Sequence, residues 1–179
     1  TITCPTALTA CTSTGSYAFG SLGTPVALDN CTASPTVTNN APGGLSFNVG
    51  SSSVIWTVTD ASGNSRSCSQ SVTVYANPTT AAAGADATQC ATLTYSLNGN
   101  TPSIGTGLWT TSGSATIDQL SNPTSSVSGL SYGNNTFTWT ITNGTCTSSD
   151  DVVIRVDQQP TAADAGVDKA QCNNGTFTM

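Results

Sequence analysis

The sequence has no histidine and no glutamate, and its 179 residues carry only three basic side chains, Arg66, Arg155 and Lys169. Each shortage closes off some chemistry. Without histidine there is no Ser-His-Asp or Cys-His nucleophile of the ordinary kind, and no HExxH metal site. Without glutamate, a glycosidase pair would need two of the nine aspartates over one cleft. Asp150 and Asp151 are adjacent, and neighbours on a strand face opposite sides. Three scattered cations against a net charge of −6 cannot build a phosphate-binding face, so nucleic acid is not an expected partner. No apolar run reaches the roughly eighteen residues of a helical membrane span, and no membrane insertion is expected.

The same shortages favour strands. Scarce Glu, Lys and Arg remove the usual exposed-helix formers, whereas Thr and Ser fill about a third of the chain and Val favours strands. Gly and Pro, 17 and 8 in number, punctuate short alternating runs. The composition predicts an all-β protein. A disordered Ser/Thr-rich stalk is the competing reading, but 36% hydrophobic residues, with the aromatics in alternating runs, can bury one face. The clearest alternation puts Val54, Trp56 and Val58 on one face, ahead of a turn at Asp60–Asn64 and a return through Val72 and Val74. Phe137, Trp139 and Ile141 repeat that pattern before an Asn143-Gly144 turn and a return through Val152–Val156. In both hairpins a glycine, Gly50 or Gly133, stands six residues before the Trp.

A longer period overlies the local ones. The stretch from Pro78 to Cys90 returns from Pro160 to Cys172, with Pro, Thr, Gly, Asp, Gln and Cys all holding one offset of 82 (172 − 90). A fixed period of this length indicates an array of similar units. The chain therefore reads as a window of a longer array: one unit over 1–76, a second over 77–158, and the opening strand of a third over 159–179.

Thr1-Ile2-Thr3-Cys4-Pro5, Leu28-Asp29-Asn30-Cys31, Trp56 through Asn64, and Cys68 before Val72-Thr73-Val74 together resemble a hyalin-repeat (HYR) domain. The second unit resembles PKD-like, Ig-like repeats through Ala83-Gly84, Asp86, Leu108-Trp109-Thr110, Trp139 through Cys146 and Asp151 through Ile154. Such repeats occur in very large secreted proteins of Bacteroidetes, some of them surface adhesins used in gliding motility. The resemblance implies tandem Ig-like β-sandwiches from an extracellular protein associated with adhesion, and Trp56, Trp109 and Trp139 as core residues.

The seven cysteines contain no Cys-x-x-Cys pair and have no histidine to complete a zinc site, which points to disulfides in an oxidising compartment. Pairing within units is expected. In the second unit that leaves Cys90 with Cys146, and in the third Cys172 awaits a partner further on. Four cysteines in the first unit permit three pairings, of which Cys4–Cys68 with Cys11–Cys31 is the one expected, since the opening and closing strands of an Ig-like sandwich run close together. Each unit would then be closed by its own bridge.

Three other features invite a functional reading. Gly129-Leu130-Ser131-Tyr132-Gly133 spells a nucleophile elbow, but a strand follows where an elbow needs a helix, and no histidine is present as base. The turn Asp60–Asn64 is rich in oxygen, yet lacks the remaining ligands of an EF-hand loop. Asp157, Asp164 and Asp168 crowd the second junction and are weak candidates for a stiffening calcium ion; the matching positions at the first junction are Tyr75, Ala82 and Asp86, so two of the three carboxylates are missing there. No catalytic residue and no cofactor are expected.

The function expected is structural: a stalk or spacer in a long extracellular adhesin or surface filament, partnered by the neighbouring repeats of its own chain. Pro78 and Pro160 in the short linkers 76–80 and 158–162 would make the joints semi-rigid. The alternatives are a glycan- or self-binding Ig-like module and an accessory module of a secreted enzyme.

Overall fold

The computed structural model describes residues 1–28 and 34–166. Among the described residues the chain forms strands and no α-helix. The first group of strands is β1 (Ile2–Thr3), β2 (Leu8–Thr12), β3 (Ser16–Ala18), β4 (Val26–Ala27), β5 (Thr36–Asn39), β6 (Ser46–Asn48), β7 (Gly50–Thr59) and β8 (Ser65–Ala76). The second group is β9 (Ala87–Cys90), β10 (Thr94–Ser96), β11 (Thr106–Thr111), β12 (Thr116–Ile117), β13 (Ser126–Ser128), β14 (Gly133–Asn143) and β15 (Cys146–Asp157). Each strand pairs only within its own group. The larger sheets have the orders β2-β8-β7-β5 and β11-β14-β15-β9, and each is faced by shorter strands: the β1-β4 and β3-β6 pairs in one unit, β10-β13-β12 in the other. These are two Ig-like β-sandwiches with one plan. In each, a long antiparallel hairpin (β7–β8 or β14–β15) forms the centre, and a short strand near the start of the unit (β2 or β9) runs parallel along its edge. The opening strand expected for a third unit falls mostly on residues 167–179, outside the described residues.

Alternation along the hairpins sets the cores. Val54, Trp56 and Val58 are buried in the first unit, and Phe137, Trp139 and Ile141 are wholly buried in the second. Trp109 on β11 lies directly opposite Trp139 on β14, ring centroids 5.0 Å apart. Their indole N–H groups donate to the carbonyls of Pro123 and Asn100. All three tryptophans are therefore core residues with satisfied N–H groups, and none presents a face for stacking on a sugar. The second unit's core also takes in Leu97, Val127, Leu130, Val152, Ile154 and Val156. The first unit has a smaller core of Leu22, Phe47, Val54, Trp56, Val72 and Val74, with the disulfide-bonded Cys4 and Cys68 packed against it.

That smaller core is built around one polar side chain. Gln70 on β8 is only 1% exposed. Its Oε1 accepts the Trp56 Nε1–H (2.9 Å), and its Nε2 donates to the carbonyls of Thr6 (2.8 Å) and Leu22 (2.9 Å). The hub ties the central hairpin to two loop segments that have no ladder of their own at those points.

The first hairpin turns at Asp60, whose carboxylate accepts the backbone N–H groups of Ser62 and Asn64 and the Asn64 side-chain amide, each at 2.8 Å. Those bonds use the oxygens as turn acceptors and hold the Asp60 carboxyl below its ordinary value of 3.8, the Asn64 side-chain bond being the largest cause. A lowered folded value means that the turn's contribution is complete above the unfolded value and fades as pH falls through the folded one. In an NMR titration the Asp60 carboxyl carbon should therefore report a midpoint below that of an unstructured aspartate, and Asn64→Ala should bring it back toward that value. A midpoint unchanged by Asn64→Ala would contradict this account of the turn.

Candidate functional site

The most heavily built place on the surface is where the two sandwiches meet. The open end of the first hairpin, where Gly50 faces Val74, lies beside the end of β2. The closed tip of the second hairpin, the two-residue turn Gly144-Thr145 between Asn143 and Cys146, abuts it. The turn residues thus sit one position later than the sequence suggests, with Asn143 still in the ladder.

Three interactions cross this joint, and a fourth set fixes the linker on the far side. Cys11, one residue before the end of β2, is bonded to Cys146, the first residue of β15, with a Cα–Cα distance of 5.9 Å and a sequence separation of 135. The Asn143 side-chain amide donates to the Ala76 carbonyl at 2.8 Å. Gly144 lies against the ring of Tyr75, so closely that a Cβ there would be 2.2 Å from a ring carbon. The Thr79 N–H donates to the Ile104 carbonyl at 3.0 Å and its hydroxyl accepts the Ser103 and Ile104 N–H groups, so the linker is tied down as it enters the second unit. Beyond it, Ser148 and Asp150 on β15 accept the N–H groups of Ala81 and Ala83, and Asp86 accepts that of Val153. The repeated Pro-to-Cys stretch is thereby laced along β15 by side chains before it becomes the strand β9.

The disulfides differ from the expected within-unit scheme. Cys4 is joined to Cys68, but Cys11 is joined to Cys146, so neither Cys11–Cys31 nor Cys90–Cys146 forms. Cys31 lies outside the described residues, as does Cys172. The physical reason is strand length. Cys90 is the register partner of Asp157 at one end of β15, and Cys146 begins β15 at the other. At about 3.3 Å per residue those ends are some 36 Å apart, against about 7 Å for the widest disulfide. The second unit therefore has no bridge of its own; the only one it shares reaches into the first.

The other candidates that fall on described residues make local contacts. Ser131 precedes β14 in a turn held by Asn135, which accepts the Ser131 N–H and donates back to its carbonyl. Asp157 is paired with Arg155 at 2.8 Å, and Asp164 accepts the Gly166 N–H. Asp168 lies outside the described residues. Among the described residues no three acidic or cysteine side chains converge as metal ligands. What sequence reasoning missed is the joint itself. No local signal pairs its members: Cys11 with Cys146 and Tyr75 with Gly144 are far apart in the chain and meet only because the ends of the two units abut.

The joint has a sharp steric test. Gly144 has φ +61°, a left-handed value that favours glycine, and its missing side chain is what admits the Tyr75 ring. Gly144→Ala should force the ring away, at a cost of about 1–3 kcal/mol, and should speed reduction of Cys11–Cys146 by dithiothreitol. Adding Tyr75→Ala should return the reduction rate toward that of the parent. An unchanged rate in Gly144→Ala would show that the turn does not press on Tyr75.

Residues 1–74 match the HYR domain family. That match covers the first sandwich, including Cys4, Cys11 and Cys68. No curated protein matches the chain. Three solved structures that it resembles are low in identity. Extracellular domains 3–5 of Drosophila OTK align over 86% of this chain and 60% of that one, with 12% identity and a TM-score of 0.50. Fibronectin(III)-like modules of Clostridium thermocellum CbhA align over 92% of this chain and 98% of theirs (14% identity, TM-score 0.47). The PKD domain from the KIAA 1837 protein aligns over 48% of this chain and 92% of its own (20% identity, TM-score 0.41). At 12% identity the likeness to the OTK domains speaks to the fold and goes no further.

Proposed function

We propose that this chain is a load-bearing spacer segment of a long extracellular adhesion-type protein, in which successive Ig-like units, the HYR unit among them, are set end to end. The observation that carries the reading is the Cys11–Cys146 disulfide, which joins two units across their junction. A bridge placed there adds little to either core. It fixes the relation between units, as a spacer under tension requires. An oxidising compartment is favoured by the disulfides and by the HYR match. The 82-residue recurrence favours further units in the same style. The absence of charge-rich surface and the burial of all three tryptophans leave the two units without an evident glycan platform. The rarity of charge and the dense Thr/Ser pairing across the exposed strand faces, such as Ser53 with Ser69 and Thr57 with Ser67, suit a passive rod.

Electron microscopy of the full-length secreted protein tests this reading. The expected image is a thin thread whose length grows by about 40 Å per unit, the length of a twelve-residue strand. A compact particle, or a mature protein with no units beyond this pair, would overturn it.

A further inference from the structure

We infer that Cys90 is one half of a second staple of the same kind: its thiol bonds a cysteine in the hairpin turn of the repeat that follows, joining the second unit to the third as Cys11 joins the first to the second. The inference rests on the array reading only in needing a following unit, whose opening motif, Pro160 to Cys172, is already in the sequence.

The equivalence of Cys90 and Cys11 is set by register. In the first unit Gly50 pairs with Val74, and the next residue, Tyr75, pairs with Cys11. In the second unit Gly133 pairs with Val156, and the next residue, Asp157, pairs with Cys90. Gly50 and Gly133 each stand six residues before the hairpin tryptophan, so the two hairpins superimpose residue for residue at this end. Both cysteines therefore occupy one position: the exposed end of the parallel edge strand, beside the point where the chain leaves the unit. One is bonded to the next unit's hairpin, while Cys90 is exposed and unbonded.

The departure from the two units also matches. Pro78 follows Tyr75 by three residues, and Pro160 follows Asp157 by three. A third unit built like the second would thus bring its hairpin tip to Asp157 as Gly144 comes to Tyr75. Its counterpart of Cys146 would lie about 82 residues further along the chain. Partners within the described second unit are out of reach, since Cys146 lies at the far end of β15 and is already bonded.

Bond formation removes two thiol protons and two electrons. The electrons pass to a disulfide-bearing oxidant of the extracytoplasmic compartment, which is reduced to its dithiol by exchange through a mixed disulfide.

The test is peptide mapping of the full-length secreted chain. Free thiols are blocked with N-ethylmaleimide, and the protein is digested with pepsin at acid pH, where exchange is slow, before mass spectrometry. The expected result is Cys90 unlabelled and cross-linked to a peptide about 82 residues past Cys146, alongside Cys11–Cys146. Cys90→Ser should abolish that one cross-link and leave Cys11–Cys146 in place. Cys90 labelled by maleimide, or linked to Cys31, to Cys172 or to a second molecule, would overturn the staple while leaving the array intact. A full-length chain lacking a third unit would overturn both.

Discussion

Pulled from its two ends, the oxidised chain should yield very little length, and full reduction should release roughly 450–490 Å more. The reason is where Cys11 and Cys146 lie. Tension entering at the N-terminus reaches Cys11 and crosses directly to Cys146, 5.9 Å away, bypassing the 135-residue interval between them. Most of both cores lies inside that covalent loop. At about 3.3–3.6 Å per extended residue, the hidden interval has the length stated above. Cys11→Ser should release only part of it, because Cys4–Cys68 then shields its own 64 residues; the remainder, 135 − 64, corresponds to roughly 230–260 Å. Single-molecule force spectroscopy with and without reductant reads these lengths directly. Equal extension in oxidised and reduced chains would mean that the staple is not formed in solution. The loop also restricts the unfolded chain, by about 5 kcal/mol in the chain-entropy account. Force, however, is where its placement matters most. Two bridges confined to single units would leave the linker to bear the load.

Replacing Gln70 by Leu should destabilise the first unit by about 3–5 kcal/mol, a large share of a typical domain's stability of about 5–15 kcal/mol. A leucine nearly fills the same volume, so the loss is one of hydrogen bonds. The Trp56 indole N–H and the Leu22 carbonyl would both be stranded, and Thr6 would lose its donor. Each stranded buried group costs about 1–3 kcal/mol. Gln70→Glu provides the control that packing alone would not move. At neutral pH its carboxylate would face two carbonyls and destabilise strongly. Once protonated it can donate one bond, so that variant should recover part of its loss as pH falls. Urea unfolding followed by Trp56 fluorescence, in a background with Trp109→Phe and Trp139→Phe, isolates the first unit. A Gln70→Leu variant unfolding within about 1 kcal/mol of the parent would show that the hub is dispensable.

Together the two results separate what holds a unit closed from what holds units together. In the first unit, a small apolar core is supplemented by a buried amide and by Cys4–Cys68. The second unit has the larger core and no internal bridge among its described residues. Its single disulfide serves the joint.

The sequence by itself determined the all-β class, the two long hairpins and which of their faces is buried. These follow from local periodicity: side chains alternate every second residue, so Val54-Ile55-Trp56 and Phe137-Thr138-Trp139 declare their inner faces without knowledge of anything distant. The 82-residue recurrence was likewise legible, since it needs only comparison of the chain with itself. The strand Ala87–Cys90 was not, because it is short and lies on a sheet edge, where the ladder of β15 and the lacing by Ser148, Asp150 and Asp86 position it and its own apolar content does not. The disulfide partners were decided only by tertiary structure. Counting cysteines unit by unit puts Cys90 with Cys146, but a twelve-residue strand carries its two ends about 36 Å apart, and a sulfur at a strand's end meets whatever the next unit presents there. Proximity in space at a junction is a property of how two folded bodies abut, and no local pattern in either one encodes it.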